Sequence, residues 1–223
     1  MSKISITPNA SGTGVFTISS PATSTDRTLT LPDEAGTIIT TAGVPSSAMP
    51  AGSVLQVVHT AKTNTFVGAS AQTGVGYFID VTGLSATITP LSSTSKILVI
   101  ANMYIGVTSA GNGYQQSYRL KKSVGGVDSF PILGDGEGGR PRATGRVNSY
   151  LLDTSSLQYR MVMLNGTHQD TAGSTSSITY QVQLGGYDSS PVVYVNRAAN
   201  FQILANIYDT VPVSTLTLME IAA

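Results

Sequence analysis

Apolar and polar residues alternate with a period of two along much of this chain, which is the spacing of a β-strand with one buried face. The alternation is clearest over residues 114–120, where Tyr118 and Leu120 share one face and the intervening polar side chains share the other. Residues 96–107 are apolar on both faces over most of their length, which is typical of a central strand covered by a second sheet or by a neighbouring subunit. Helical spacing is absent, so the pattern predicts an all-β protein.

The predicted strands are rich in Val, Ile, Thr and Tyr and are bounded by clusters of Gly, Pro, Asn, Asp and Ser. About ten of them follow residue 50, at spacings typical of a β-sandwich or jelly roll. The full set of thirteen predicted strands, including three before residue 50, covers residues 15–19, 27–31, 37–41, 53–60, 77–81, 84–89, 96–107, 114–121, 148–153, 158–164, 177–184, 192–196 and 214–221.

Small residues with two Pro and two Gly, at positions 42–52, separate a Thr-rich N-terminal region from the first long apolar strand. This composition is typical of a linker. We therefore predict a β-rich N-terminal segment at 1–42, a linker at 43–52 and a jelly-roll-like β-sandwich domain at 53–223. Because chains shorter than about 40–60 residues rarely bury a sufficient core, we expect oligomerisation to complete the N-terminal segment.

Ser and Thr make up about a quarter of the 223 residues, whereas charged residues make up 11% and the net charge is zero. This balance disfavours nucleic-acid binding, which needs clustered Lys and Arg to neutralise phosphates. The chain has no Cys, which excludes disulfides, zinc–thiolate sites and thiol nucleophiles. No apolar run suits a signal peptide or a membrane span, so we expect neither export nor membrane insertion.

Few residues suggest catalysis. The stretch Gly134-Asp-Gly-Glu-Gly-Gly139 matches a dinucleotide-binding pattern, but no helical pattern follows it, so we interpret it as a surface loop. Its two acids are too few for a calcium site. We interpret His59 as a core or interface residue and His168 as a loop residue, because no nucleophile-elbow motif accompanies them. We predict no catalytic residue, metal or cofactor, and a glycan-degrading activity through paired carboxylates is an alternative that no motif supports.

Charged residues concentrate in the middle of the second domain. Residues 51–118 contain only Lys62, Asp80 and Lys96, whereas residues 119–160 contain seven basic and four acidic side chains. Six of the basic side chains are candidates for contacts with phosphate groups or anionic sugars, namely Arg140, Arg142 and Arg146 together with Arg119, Lys121 and Lys122. The alternative is that they are solvated charges at strand ends and loops.

Residues 12–41 carry a specific pattern, in which a Thr-rich strand leads to Arg27-Thr-Leu-Thr-Leu-Pro-Asp33, then to Ala-Gly-Thr and a second Thr-rich strand. This segment resembles one that is common in bacteriophage tail-fibre and related virion structural proteins. The second domain is similar to C-terminal fibre domains of phages of aquatic bacteria. It opens with Pro50-Ala-Gly-Ser-Val-Leu-Gln-Val-Val58, continues with Phe78-Ile-Asp-Val-Thr-Gly-Leu84 and Ser93-Thr-Ser-Lys-Ile-Leu-Val99, and closes with Ser214-Thr-Leu-Thr-Leu-Met-Glu-Ile-Ala222.

The resemblance implies a homotrimeric, non-enzymatic virion protein that is made in the host cytoplasm. Its N-terminus would join other virion proteins of the tail, capsid or baseplate, and its C-terminal domain would bind a host-surface glycan. The residues that this assigns to virion attachment are Arg27, Thr28, Leu29, Thr30, Leu31, Pro32 and Asp33. Because fibres of this type are often longer, with a tail-binding domain and a shaft, a capsid or tail decoration protein or head fibre with a stabilising role is the alternative.

Receptor contacts are expected on the loops of the second domain, because loops carry variation on a rigid sheet scaffold. The candidate loops are 109–113, 134–146, 166–176 and 185–191. The candidate residues in and near them are Tyr114, Arg140, Arg142, Arg146, His168, Tyr187 and Asp188.

Overall fold

The structure is a computed structural model that describes residues 7, 10–15, 17, 19, 22–26, 28, 30, 48–69, 78–106, 115–139, 141–148, 161–186, 192–200 and 210–223. The chain divides into two compact units, Met1–Thr40 and Thr41–Ala223. The described residues contain eleven β-strands and no α-helix, which confirms the all-β prediction. They include no helix with the length and apolar character that a membrane crossing requires.

The strand bounds follow the predicted pattern closely in the second unit. In chain order the strands are β1 (Val54–Lys62), β2 (Phe66–Ala69), β3 (Phe78–Ile88), β4 (Lys96–Gly106), β5 (Gln115–Val124), β6 (Val127–Ser129), β7 (Gly145–Asn148), β8 (Met161–Thr171), β9 (Ile178–Gly186), β10 (Val192–Val195) and β11 (Ser214–Ile221). The strands β1, β4, β5 and β8 to β11 each overlap a predicted strand, whereas β2 and β6 are too short to show a period of two.

The strands form two antiparallel sheets. Sheet A has the order β1-β11-β4-β10-β2, with β8 beside β4, and sheet B has the order β3-β9-β5-β6, with β7 beside β5. Residues 96–102 of β4 pair with β11 on one side and with β8 on the other. The predicted central position of this strand is therefore confirmed.

The core of the sandwich comes from alternate residues of the two sheets. On β4, Ile97, Val99, Ala101, Met103 and Ile105 are completely buried, and the residues between them form the outer face of sheet A. Sheet B contributes buried leucine, isoleucine and valine side chains and two fully buried tyrosines from β5 and β9. Burying a large apolar side chain contributes about 1.5–3 kcal/mol, so this shared interior dominates the stability of the unit.

Two predicted breaks in the sheets are wrong. Residues 77–81 and 84–89, predicted as separate strands, belong to the single strand β3, because Gly83 has a φ of 81° and pairing with β9 resumes after a register shift between Asp80 and Ser85. Residues 166–171, predicted as a loop, form the second half of β8. Their polar character reflects partners on both faces of the strand rather than a turn. The strand predicted at 148–153 is described only at Asn148, which ends β7.

In the first unit, the described residues are all exposed. Positions 15, 17, 19, 28 and 30 of the first two predicted strands are not in strands, which contradicts the prediction at those positions. A strand requires a paired neighbour for its backbone hydrogen bonds, and the described residues of this unit include no such neighbour. The remaining positions of these strands, and the strand predicted at 37–41, lie outside the described residues.

Candidate functional site

The structure places the predicted site residues in different parts of the molecule. Of the predicted attachment residues, Thr28 and Thr30 are described, and both are exposed. The other predicted residues that lie outside the described part are Arg27, Leu29, Leu31, Pro32, Asp33, Tyr114, Arg140, Tyr187 and Asp188. Three receptor candidates remain, namely Arg142, Arg146 and His168.

These three candidates do not form one cluster. Arg142 is exposed in the loop before β7, where its Nε donates a hydrogen bond to the carbonyl of Gly134 at 2.7 Å. Arg146 is exposed on β7, opposite Ser117 of β5, which places it on the outer face of sheet B. His168 is half-buried between the two sheets. The three candidates therefore do not share one surface.

The two histidines differ from the sequence interpretation. His168 lies on β8, not in a loop, and its Nε2 shares a 2.7 Å hydrogen bond with the hydroxyl of the buried Tyr118. Burial lowers the pKa of His168, so the neutral imidazole is favoured. His59 is exposed on β1 and bonds Thr217 of β11 at 2.8 Å. Its assignment to the core is wrong, and its assignment to an interface stays a prediction.

A row of polar side chains crosses the outer face of sheet B. Antiparallel pairing aligns Asp80 of β3, Gln183 of β9 and Arg119 of β5. Arg119 Nε donates to Gln183 Oε1 at 2.6 Å, and Gln183 Nε2 donates to Asp80 Oδ1 at 2.6 Å. Lys121 Nζ donates to Asp80 Oδ2 at 2.7 Å. We call these four residues the Arg119 row.

Two phenylalanines hold the guanidinium of Arg119. Its Cζ lies 4.4 Å from the ring centroid of Phe78 and 4.0 Å from that of Phe130. Phe78 begins β3 and Phe130 follows β6, so the rings come from opposite sides of β5. A cation over an aromatic ring is attracted by the ring's negative face, and two such contacts restrain the position of the guanidinium.

The row carries two cations, Arg119 and Lys121, and one carboxylate, Asp80. Partial burial alone would raise the pKa of Asp80, but hydrogen bonds from Lys121 and Gln183 outweigh it, so the pKa of Asp80 lies below its ordinary value. Burial lowers the pKa of Arg119, and the nearby Asp80 opposes that change. A guanidinium stays charged in proteins, so the row presents a fixed cation on a rigid sheet.

The loop between β6 and β7 is tied to the same strand. Thr144 Oγ1 donates to the carbonyl of Ile132 at 2.5 Å and accepts from the backbone N–H of Leu120 at 3.1 Å. The backbone N–H of Gly134 donates to the carbonyl of Ala143 at 3.0 Å. The Gly-rich stretch therefore lies in a closed, exposed loop, as predicted. This loop begins at Phe130, which stacks on Arg119.

A second polar group lies between the sheets, on the other side of β5. Lys122 Nζ donates to Asp170 Oδ2 at 2.8 Å and to the carbonyls of Thr171 and Ala172 at 2.7 Å and 3.0 Å. The hydroxyl of Tyr180 donates to the same Asp170 oxygen at 2.7 Å. Burial and the neighbouring Asp170 both raise the pKa of Tyr180. This inner cluster joins sheet B to β8 of sheet A.

Sequence reasoning missed both polar groups as units. The inner cluster had a readable signal, because Lys122 continues the buried period of Tyr118 and Leu120 and therefore needs an internal partner. The Arg119 row has no such signal in the sequence, since Phe78 and Phe130 reach Arg119 only through sheet pairing. Among the described residues, no group of three or more His, Cys, Asp or Glu side chains forms a metal site.

Comparisons with known proteins show no family for this chain. No protein-family model matches the chain, and no curated protein matches it. Among solved structures, it is similar to the CBM22-1 xylan-binding domain from Paenibacillus barcinonensis Xyn10C, with 13% identity and a TM-score of 0.32 over 79% of this chain and 99% of that one. We draw nothing about ligand or activity from a likeness of this degree.

Proposed function

We propose that this chain is a non-enzymatic bacteriophage virion appendage, a short tail fibre or fibre-like protein that binds the host-cell surface. The single observation that carries the binding role is the Arg119 row, which presents a positioned cation on the outer face of a rigid sheet. Recognition then uses a sheet face and the adjoining loop between β6 and β7. The N-terminal segment, with Arg27 to Asp33, attaches the chain to its partner on the particle.

The outer face of sheet A supports self-association into the homotrimer that the resemblance implies. On β4 this face carries Leu98, Ile100, Asn102 and Tyr104, and the facing positions of β1, β8 and β11 are Val, His, Ala, Met, Thr, Asn, Gln and Ile. Of the described residues on these four strands, only Lys96 brings a charge to this face. Surfaces that are buried between subunits are depleted in charge, because an unpaired buried charge is costly.

The uncharged face of sheet A also favours the second candidate, a decoration protein or head fibre that stabilises the particle and binds no receptor. Such a protein needs a surface that can be buried against its neighbours, and its role assigns no binding function to the Arg119 row. The two candidates therefore differ in the role of sheet B.

The test locates the chain on the virion by antibody labelling and measures adsorption of the purified full chain to host cells. We expect saturable adsorption that competes with infection. A double substitution, Leu29→Asp with Leu31→Asp, should abolish incorporation into particles while adsorption by the free protein is retained. Incorporation of this variant at the wild-type level contradicts the attachment role, and a capsid location without adsorption favours the decoration protein.

A further inference from the structure

Two aromatic rings lie close to the guanidinium of Arg119, whose N–H groups lie at its edge. Phe78 and Phe130 cover it at 4.4 Å and 4.0 Å, from the two sides of β5. Because the N–H groups of a guanidinium lie in its plane, a ligand that hydrogen-bonds with it approaches along that edge. The same contacts occupy ring faces that a neutral pyranose would need for stacking. The geometry therefore favours hydrogen bonding in the plane of the guanidinium.

Part of that edge is already used. Nε donates to Gln183, and the nearest carboxylate of the row, Asp80, is bonded to Gln183 and Lys121. Within the described part of the chain, no carboxylate forms an ion pair with Arg119. The two Nη groups of a positioned cation are thus available to an external anion.

Arg146 adds a second positive charge on the same face. It pairs in register with Ser117, which is two residues before Arg119 on β5 and shares its outer face. Diagonal neighbours of this kind lie roughly 7–8 Å apart. Two cations at this spacing favour a chain with repeated anionic groups over a single ion.

We propose that Arg119 binds a two-oxygen anionic group, a carboxylate or a phosphate, of an acidic saccharide. Two parallel N–H groups of a guanidinium match the two oxygens of such a group, a geometry that an ammonium cannot reproduce. Only the saccharide nature of the ligand rests on the function proposed above. The preference for an anion rests on the geometry of Arg119 itself.

The test titrates the full chain with four tetrasaccharide probes. They are tetragalacturonate, its carboxyl-reduced form, phosphorylated mannotetraose and plain mannotetraose. Calorimetry gives the affinities, and the Nε–Hε resonance of Arg119 reports local binding. We expect at least one acidic probe to bind at least about tenfold more tightly than its neutral counterpart and to shift that resonance. The tighter of the two acidic probes identifies carboxylate or phosphate as the anion.

Substitutions then assign the effect to Arg119. Arg119→Lys keeps the charge and should weaken acidic binding by about tenfold or more. The matched control is Arg197→Lys, because Arg197 lies over Tyr194 at 5.5 Å in the other sheet. This control should bind as the wild type does. Equal affinity for acidic and neutral probes, no binding of either acidic probe, or equal losses in both variants overturns the proposal.

The probe comparison uses only the wild-type protein, so it stands if Arg119→Lys fails to fold. Failure of this proposal is also separable from failure of the proposed function. Anion-selective binding without adsorption to host cells leaves the ligand assignment in place and removes the phage role. Adsorption to cells with no preference for acidic probes supports the phage role and removes the ligand assignment.

Discussion

Two neighbouring lysines on β5 make similar ion pairs on opposite sides of sheet B. Lys121 points outward and bonds Asp80 at 2.7 Å, and Lys122 points inward and bonds Asp170 at 2.8 Å. The distances are almost equal, but the surroundings are not. The side chain of Asp80 is 48% exposed and that of Asp170 is 10% exposed.

Burial, and not the N–O distance, therefore decides what each pair contributes to stability. In the inner pair, three acceptors satisfy the ammonium of Lys122, and Asp170 accepts from Lys122, Tyr180 and the backbone N–H of Thr171. Removing one member leaves the remaining members with unsatisfied hydrogen-bonding capacity in a buried place. In the outer pair, water replaces whatever is lost. The inner cluster is therefore structural, and the outer row is available for recognition.

The largest expected effect is that of Asp170→Asn. This change leaves the buried ammonium of Lys122 without a carboxylate, and removing one partner of a buried pair costs about 3–5 kcal/mol. We expect the free energy of unfolding, measured by urea denaturation at pH 7, to fall by about 3 kcal/mol, since asparagine can still accept one hydrogen bond. A loss below about 1 kcal/mol would show that the inner pair contributes no more to stability than an exposed ion pair, and that burial does not separate the two pairs.

The second effect tests how tightly the interior is filled. A Cβ at Gly166 would lie 2.0 Å from the Tyr118 hydroxyl and 2.5 Å from His168 Nε2, so Gly166→Ala must displace their hydrogen bond. We expect a loss of about 2 kcal/mol in thermal or urea unfolding. In a Tyr118→Phe background the clash with the hydroxyl is absent, so the double variant should lose less than the sum of the two single changes.

The matched control for this change is Gly134→Ala in the outer loop. There the nearest atom to an added Cβ is the carbonyl of Ala143 at 3.6 Å, which is ordinary contact. This variant should be within about 0.5 kcal/mol of wild type. Strictly additive losses for Gly166→Ala and Tyr118→Phe would show that the hydroxyl does not set the limit at residue 166.

The pattern of residues predicted the strands of the second unit well, because each strand there has a buried face whose period can be read. Lys96–Gly106 and Ser214–Ile221 are the clearest cases. The polarity of His168 and Asp170 predicts a loop. In the structure both side chains lie on the inner face of β8, where they hydrogen-bond with Tyr118, Tyr180 and Lys122. A single sequence shows the polarity of such residues but not the partners that make burial possible.

The outer site was even less predictable. The sequence shows Arg119 as one of several basic residues. Its contact with Phe78, which is 41 positions earlier, distinguishes it from the others. Sheet pairing through β9 and the chain reversal between β5 and β6 bring the two rings to it. Strand register determines both contacts. The alternation of apolar and polar residues shows which face of a strand a residue lies on, but not by itself which residue of a distant strand it pairs with.

Control variants aside, the smallest expected effect is that of Asp80→Asn, the outer counterpart of Asp170→Asn. Because Asp80 is half exposed, we expect a loss below about 1 kcal/mol at pH 7. The pKa of Asp80 is lower in the folded protein than its ordinary value of 3.8. Its contribution is therefore fully present above that value and is lost as the pH falls through the folded pKa.

The gap between wild type and Asp80→Asn should accordingly narrow in urea titrations repeated from pH 7 down to pH 3. The Arg119 Nε–Hε resonance should persist in this variant, because Gln183 still accepts from Nε. A loss as large as that of Asp170→Asn, or a gap that widens in acid, would mean that the outer row stabilises the sandwich in the same way as the inner cluster. In that case Arg119 would be held in place for stability, and the distinction between a structural inner face and a recognition surface would fail.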